Sequence, residues 1–201
     1  MPLIVSQNPL ASYYLTILRD KRTPPKAFRE YLRKLGYVLA IEASKLLERE
    51  ETLVETPIDI SKGIKPRDRI AIVPILRAGL PMAEGVLELI DRASLGIIVA
   101  RRIEEEEIRA KIYYEKIPEA DYTIVVDPMI ATGSTLIETL KRIRSKIIVI
   151  AAIGAPEGVN RILEEFPEAT IIVASIDRGL NDRAFIVPGL GDAGDRAFGT
   201  I

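Results

Sequence analysis

Cysteine, histidine and tryptophan are absent from this sequence of 201 residues. Without cysteine there is no disulfide bond, no thiolate nucleophile and no sulfur-ligated metal site. Without histidine, a Ser–His catalytic pair, a histidine general base and a histidine-ligated zinc ion are also excluded. Any chemistry must therefore rest on carboxylates, arginine, lysine, hydroxyl groups, tyrosine and the backbone.

The sequence also lacks an excess of charge of either sign. It has 28 basic and 29 acidic residues, so no overall attraction to nucleic acid or to a membrane surface is expected. No apolar run approaches the roughly 18 residues of a membrane-spanning helix. The N-terminal stretch lacks the basic and then apolar pattern of a signal peptide. We expect a cytoplasmic protein that binds neither nucleic acid nor membrane.

The pattern of apolar residues predicts alternating strands and helices in a single domain. Two helices are predicted over residues 9–20 and 24–51, followed by an edge strand and turn over 52–61. Further along, short apolar runs that are typical of buried strands alternate with amphipathic stretches. The predicted strands are 69–76, 95–100, 122–126, 146–154 and 169–177, and the predicted helices are 80–90, 134–145 and 156–166. This alternation favours an α/β fold with a doubly wound parallel sheet.

Two segments depart from this alternation. Residues 101–117 are densely charged, and we interpret them as a flexible β-hairpin that projects from the sheet. Residues 178–201 are rich in glycine and aspartate, which is typical of a long functional loop. We expect this C-terminal loop and the N-terminal helices of residues 1–60 to form a small hood over the domain.

Three unusual loops follow predicted strands at the same edge of the sheet. They are LRAG after residues 69–76, DPMIATGST after 122–126 and DRGLND after 169–176. In an open parallel sheet, ligands bind beyond the carboxyl ends of the strands. One pocket can therefore collect all three loops.

The middle loop predicts a site for a single phosphate group. It lacks the lysine of an ATP-binding P-loop and the glycine spacing of a dinucleotide-binding turn. Backbone amides from Ala131 to Thr135, with the hydroxyls of Thr132, Ser134 and Thr135, suit an anion. Asp127 can accept hydrogen bonds from two adjacent sugar hydroxyls, so a ribose 5-phosphate fits both groups. The alternative is an ordinary strand-to-helix turn that a serine or threonine caps.

Three segments resemble, in the same order, motifs of the uracil phosphoribosyltransferases, a branch of the type I phosphoribosyltransferases. The Asp-Pro-Met-x-Ala-Thr-Gly-x-Thr pattern of residues 127–135 resembles the loop that binds 5-phosphoribosyl 1-diphosphate (PRPP). PILRAGLPM, residues 74–82, is similar to the pyrophosphate-side loop of the family. PGLGDAGDRAFGT, residues 188–200, resembles its uracil-binding segment. The fold expected from this resemblance is the phosphoribosyltransferase type of doubly wound sheet.

The resemblance implies roles for individual residues. Arg77 and Arg102 would bind the pyrophosphate, although the neighbouring Arg101 leaves the register of the second arginine open. With Asp192, which would face PRPP or its metal, they are the catalytic candidates. The implied PRPP-binding set is Arg77, Arg102, Asp127, Pro128, Met129, Ile130, Ala131, Thr132, Gly133, Ser134, Thr135 and Asp192. The implied uracil-binding set is Ile186, Gly191, Asp192 and Ala193, and the preceding Phe185 replaces a tyrosine that is common in the family.

The activity that the resemblance implies is transfer of the phosphoribosyl group from PRPP to uracil, giving UMP and pyrophosphate. Mg²⁺ would be held by PRPP and water, with no direct side-chain ligand predicted. The charged hairpin would close over the ligands with Arg102 and exclude water. The group that accepts the N1 proton of uracil stays open among a pyrophosphate oxygen, water and Asp192.

The resemblance also implies partners and leaves two alternatives. A homodimer or homotetramer is expected, with GTP or another nucleotide as an effector. The first alternative is a pyrimidine-operon regulator of the same fold that binds RNA, which would need a basic face. The second is a phosphoribosyltransferase that acts on another base.

Overall fold

The computed structural model describes residues 2–104 and 108–200, with side chains described outside residues 101–109. The helices are α1 (Pro9–Arg19), α2 (Pro25–Ser44), α3 (Gly79–Leu89), α4 (Ser134–Leu140), α5 (Pro156–Glu165) and α6 (Ala193–Phe198). The strands are β1 (Leu3–Val5), β2 (Arg49–Glu55), β3 (Ile60–Pro66), β4 (Ile70–Leu76), β5 (Ser94–Leu95), β6 (Ile97–Glu104), β7 (Ile108–Lys116), β8 (Tyr122–Val126), β9 (Met129–Ile130), β10 (Lys146–Gly154), β11 (Thr170–Ile176), β12 (Gly179–Leu180) and β13 (Ile186–Val187). In this described part, no helix is long and apolar enough to cross a membrane.

Nine of the described strands form one sheet. Its order is β1-β11-β10-β8-β4-β6-β7, with β5 beside β4 and β9 beside β10. Its pairings are parallel except for the antiparallel hairpin of β6 and β7. The predicted α/β class with a mainly parallel sheet is confirmed. The division into a hood, a flexible hairpin and a uracil-binding segment stays a prediction.

Helices cover both faces of the sheet, which explains why its central strands are apolar without interruption. Residues 70–75 and 123–126 are buried along their whole length, as expected for strands with helices on both sides. One face packs against α1, α2 and α3. The other packs against α4 and α5, through side chains such as Leu136 and Ile162.

The predicted helix over residues 24–51 is wrong at its C-terminal end. The helix α2 ends at Ser44, and β2 begins at Arg49. The strand β2 pairs antiparallel with β3, from Arg49 opposite Pro66 to Glu55 opposite Ile60. Pairing with the next strand of the chain therefore overrides the helical preference of the glutamate-rich stretch.

Two other boundaries differ from the prediction. The helix predicted over 134–145 ends at Leu140, after which Arg142 and Ile143 donate backbone hydrogen bonds to carbonyls only three residues back. The C-terminal segment, expected to be a loop, contains β12, β13 and α6. Short elements of two to six residues carry too little periodicity to be recognised from sequence.

Candidate active site

The three predicted loops meet at the carboxyl edge of the sheet because β4, β8, β10 and β11 lie side by side. Gly79 brings the first loop against the second. A Cβ atom at Gly79 would lie 2.3 Å from the Val126 carbonyl oxygen, so only glycine permits this approach. Arg77 is thereby placed beside β8, which Asp127 directly follows.

The second loop, residues 127–135, encloses a small concavity. Its volume is 120 Å³, and its wall is formed by Asp127, Met129 and residues 131–136. Since one water takes about 30 Å³ of liquid volume, this space suits a group of the size of phosphate. The Asp127 carboxylate accepts a hydrogen bond from the Met129 amide at 3.2 Å. Gly133 adopts a left-handed conformation, with φ of 79°, where the loop enters α4.

The helix α5 supports this loop from behind. A Cβ atom at Gly158 would lie 2.1 Å from the Ala131 carbonyl oxygen, so helix and loop are in direct backbone contact. The guanidinium of Arg161 donates to the Ser134 hydroxyl at 2.9 Å and to the Thr132 carbonyl at 3.4 Å. Among the described residues that form the wall of the concavity, Asp127 is the only charged one. Arg161 therefore places a positive charge at a loop whose own charge is negative.

A larger pocket adjoins the concavity on its C-terminal side. Its volume is 520 Å³, and it is lined by residues 184–192, Asn181, Met129 and Ala131. Met129 and Ala131 also line the phosphate-sized concavity, so the two spaces share a wall. The Asn181 side chain accepts hydrogen bonds from two amides of the turn that follows, each at 3.0 Å. This turn leads into β13 at the pocket.

The pocket segment is anchored to the N-terminal helices. Asp177, at the end of β11, forms a two-point ion pair with Arg19 of α1 at 2.5 and 2.8 Å. Burial raises the pKa of Asp177, but hydrogen bonds from Arg19 and Gly189 outweigh this effect, and the pKa lies below its ordinary value. Arg196 of α6 donates to the carbonyls of Leu18, Asp20 and Leu190.

Arg77 is held by the C-terminal turn. Its Nη2 atom lies 3.3 Å from the Asp195 carboxylate and 3.3 Å from the Thr200 hydroxyl. The Asp192 carboxylate accepts a hydrogen bond from the Asp195 amide at 2.8 Å and caps α6. The short helix α6 therefore links the pocket segment to Arg77. The Leu76–Arg77 and Val187–Pro188 peptide bonds are cis.

The structure brings most of the predicted site residues together. Arg77, the loop 127–135 and the segment 186–193 meet at one edge of the sheet. The side chains of Pro128, Ile130 and Ala193 are buried, so they can offer a ligand only their backbone. The side chain of Arg102 lies outside the described residues.

Sequence reasoning missed four residues that support the site. They are Arg19, Arg161, Asp177 and Asp195, and each acts on a segment that is distant in sequence or in another element. Asp177 and Asp195 lay in two of the segments singled out from the sequence, residues 177–182 and 188–200, but neither was assigned a role of its own. Arg19 and Arg161 lie on helices and look like ordinary surface residues.

The oxygen donors at the site fit Mg²⁺ that arrives with a phosphorylated substrate. No group of three or more acidic residues converges as a metal cage within the described chain. Asp127 and Asp192 line the two adjoining spaces, and carboxylates set apart in this way suit an ion that keeps most of its water and phosphate ligands.

The fold is one that phosphoribosyltransferases share. The protein is similar to adenine phosphoribosyltransferase from Leishmania donovani in fold alone, with a TM-score of 0.55 and 11% identity over 92% of this chain and 88% of that one. The solved AQ2163 protein from Aquifex aeolicus is much more similar. It has a TM-score of 0.92 and 37% identity, over 98% of this chain and 97% of that one.

The sequence comparisons identify the branch. The profile of the family described as uracil phosphoribosyltransferase matches residues 5–200. The uracil phosphoribosyltransferase of Thermococcus gammatolerans is 45% identical, over 96% of this chain and 90% of the relative. That of Pyrobaculum islandicum is 42% identical over the full length of both chains. The chain belongs to the uracil phosphoribosyltransferase family.

Proposed function

We propose that the protein transfers the 5-phosphoribosyl group of PRPP to uracil, forming UMP and releasing pyrophosphate. The observation that carries this proposal is the pair of spaces that share Met129 and Ala131 as a wall. A phosphate-sized concavity on one side and a larger pocket on the other suit the two ends of a nucleotide. The ribose that joins them would lie over the shared wall.

In the proposed complex, the loop 127–135 binds the 5-phosphate and the ribose. The amides and hydroxyls of residues 131–135 would donate to the phosphate, and the Asp127 carboxylate would accept from the ribose hydroxyls. Arg161 would strengthen phosphate binding, because it orients the Ser134 hydroxyl and adds positive charge.

The base is proposed to bind against backbone groups of the C-terminal segment. Gly191 has φ of 78°, a left-handed conformation that glycine adopts without strain. Backbone groups of Ile186 and residues 191–193 can pair with the N3–H donor and the carbonyl acceptors of uracil. Phe185 is 50% exposed beside this segment, so its ring can cover the base without a hydroxyl contact.

Departure of pyrophosphate requires positive charge around the leaving group. Arg77 can supply it, because its planar guanidinium grips two phosphate oxygens at once. We assign Arg102 to the same role on the family resemblance alone. Mg²⁺ bound with PRPP would neutralise part of the diphosphate charge. The residues of this chain act mainly by positioning the ribose, the base and the leaving group.

We also propose that the protein forms a homo-oligomer. The β2–β3 hairpin carries Leu53, Ile60 and Ile64 on one face, according to its register. Their exposed fractions are 70%, 66% and 67%, so this face exposes three large apolar side chains, among charged neighbours that include Glu51 and Lys62, that a second copy can bury. A dimer or tetramer, GTP or another nucleotide as effector, and a cytoplasmic location complete the proposal on the family resemblance.

The test is an assay of the purified protein with PRPP and Mg²⁺ and, separately, with uracil, cytosine, hypoxanthine and orotate. Formation of UMP from uracil alone is the expected result. Product from another base would contradict the assignment of the C-terminal segment to uracil. The absence of product from every base, with and without GTP, would contradict the enzyme proposal, and RNA binding would then be measured.

A further inference from the structure

The C-terminal pocket segment is held at one point by a buried ion pair from outside the pocket. The Asp177 side chain is 2% exposed and the Arg19 side chain 25% exposed. Asp177 also accepts a hydrogen bond from the Ser175 hydroxyl at 3.2 Å. The pair is therefore largely removed from water, where charge-assisted hydrogen bonds are strong and directional.

Both polar backbone groups of Gly189 bind to this pair. The Gly189 amide donates to Asp177 Oδ2 at 2.9 Å, and the Gly189 carbonyl accepts from Arg19 Nη1 at 2.7 Å. The two residues of the pair therefore act as a clamp on one peptide segment. A clamp that engages both the N–H and the C=O of a residue fixes its orientation as well as its position.

The position of Gly189 affects the pocket, because Gly189 and its neighbours from Ile186 to Asp192 line it. Gly189 has φ of 66°, and a Cβ atom there would lie 2.2 Å from the Ile186 carbonyl oxygen. The turn from Ile186 to Gly189 is thus closed so tightly that the backbones of the two residues lie against each other. Residues 190–192, which continue the pocket wall, follow Gly189 directly.

We propose that Arg19 and Asp177 are positioning residues for the nucleobase. Through Gly189, they set the spacing between the backbone of Ile186 and the loop 191–193, which are the two edges proposed to bind uracil. This inference rests on the proposed function for the identity of the base. It assigns to α1, which does not line the pocket, a part in base recognition.

The test distinguishes a positioning role of Arg19 and Asp177 from the loss of stability that follows when one charge of the pair is buried without its partner. Replacing Arg19 by methionine removes the donor to the Gly189 carbonyl but strands the Asp177 carboxylate. The double variant Arg19→Met/Asp177→Asn removes both charges, and the new side-chain amide oxygen can still accept from the Gly189 amide. We expect both variants to raise KM for uracil about tenfold, as the loss of a charge-assisted hydrogen bond predicts. KM for PRPP should stay within about twofold in both.

The melting temperature gives the second readout. We expect it to fall in Arg19→Met and to recover in the double variant, while KM for uracil stays raised in both. Arg19→Lys is the substitute if Arg19→Met does not fold. Lysine can reach only one of the two acceptors, so we expect KM for uracil to rise about threefold. Arg22→Met is the matched control, because Arg22 forms an exposed pair with Asp20 near the same helix end.

Unchanged KM for uracil in the folded variants, or equal rises in both KM values, would overturn the inference. Amide hydrogen exchange tests the clamp independently of activity. The double variant should exchange faster over residues 186–192 than the wild type, with no change over 122–135. A wild type that forms no UMP would refute the proposed function alone, whereas unchanged exchange would refute the clamp.

Discussion

Asp127 follows β8 directly, and its carboxylate lines the phosphate-sized concavity while it accepts a hydrogen bond from the Met129 amide. At the scale of the single residue, we expect Asp127→Ala to raise KM for PRPP at least about tenfold, because two ribose hydroxyls lose their acceptor. Steady-state kinetics at saturating uracil measure this change. Asp182→Ala, on the exposed turn of the C-terminal segment, is the control. Equal KM values for PRPP in the two variants would remove Asp127 from the ribose site.

Replacing Gly158 by alanine is expected to change stability in the direction opposite to the usual one for a helix. Glycine to alanine within a helix ordinarily stabilises a protein by about 0.5–1 kcal/mol. At Gly158 the new Cβ would lie 2.1 Å from the Ala131 carbonyl oxygen. We therefore expect Gly158→Ala to destabilise the protein by about 1–3 kcal/mol and to raise KM for PRPP. Urea unfolding measures the first effect, with Asn160→Ala on the exposed side of α5 as control. A stabilised variant would show that the loop yields without cost.

Candidate site residues could be predicted from the sequence where the residues that act together are neighbours in the chain. The loop 127–135 was predicted as a phosphate site because Asp127, the small residues and the hydroxyls follow one another after an apolar strand. Asp195 was missed as a partner of Arg77 because 118 positions separate the two side chains. Such a pair becomes visible only when the fold brings its members together.

At the scale of the element, α5 contributes to the site through its exposed face as well as its packing. Arg161 donates to Ser134 and Thr132 of the phosphate loop. Arg161→Ala should raise KM for PRPP about threefold, the modest effect expected of a partly exposed hydrogen bond, and leave KM for uracil unchanged. The matched control is Arg144→Ala, an exposed arginine that precedes β10 at the opposite edge of the sheet. A change in KM for uracil instead would contradict a role at the phosphate.

The β2–β3 hairpin is the element that sequence patterns predicted least well. Its glutamates and lysines carry no strong strand preference, and β2 exists because β3 pairs with it. The apolar positions of the hairpin are spaced for one face of a ribbon, which becomes evident only when the register is known. The long buried strands of the central sheet were predicted more accurately because their signal is local.

The same hairpin supports a prediction about assembly. Ile58, at its tip, is 96% exposed, and Leu53 and Ile64 share a face below it. The double variant Leu53→Lys/Ile64→Lys should shift the protein towards monomer, since two charges would be buried in the proposed interface. Light scattering after size exclusion measures the mass. Leu95→Lys, at an exposed apolar residue outside the hairpin, should not change it. An oligomer that survives the double variant would place the interface elsewhere.

At the scale of the whole molecule, the Arg19–Asp177 pair predicts how stability depends on pH. The pKa of Asp177 is lower in the folded state, so its contribution is present above the unfolded value of about 3.9 and is lost as pH falls further. Asp177→Asn should therefore destabilise the protein near pH 7, and its deficit relative to wild type should shrink as the pH falls from about 4 towards 2. Urea unfolding across this range measures the deficit. A deficit that stays constant would show that the carboxylate titrates alike in both states.

The pairing of β1 with β11 has a consequence for synthesis. Leu3 lies opposite Ile171, and Val5 opposite Val173. The strand β1 can therefore pair only after β11 has been synthesised. At the usual pace of translation, roughly 170 residues take about ten to thirty seconds to emerge. During that interval α1 has neither β11 to pack against nor Asp177 to receive Arg19. The pocket lined by residues 184–192 therefore takes shape only after β11 and the segment that follows it have left the ribosome.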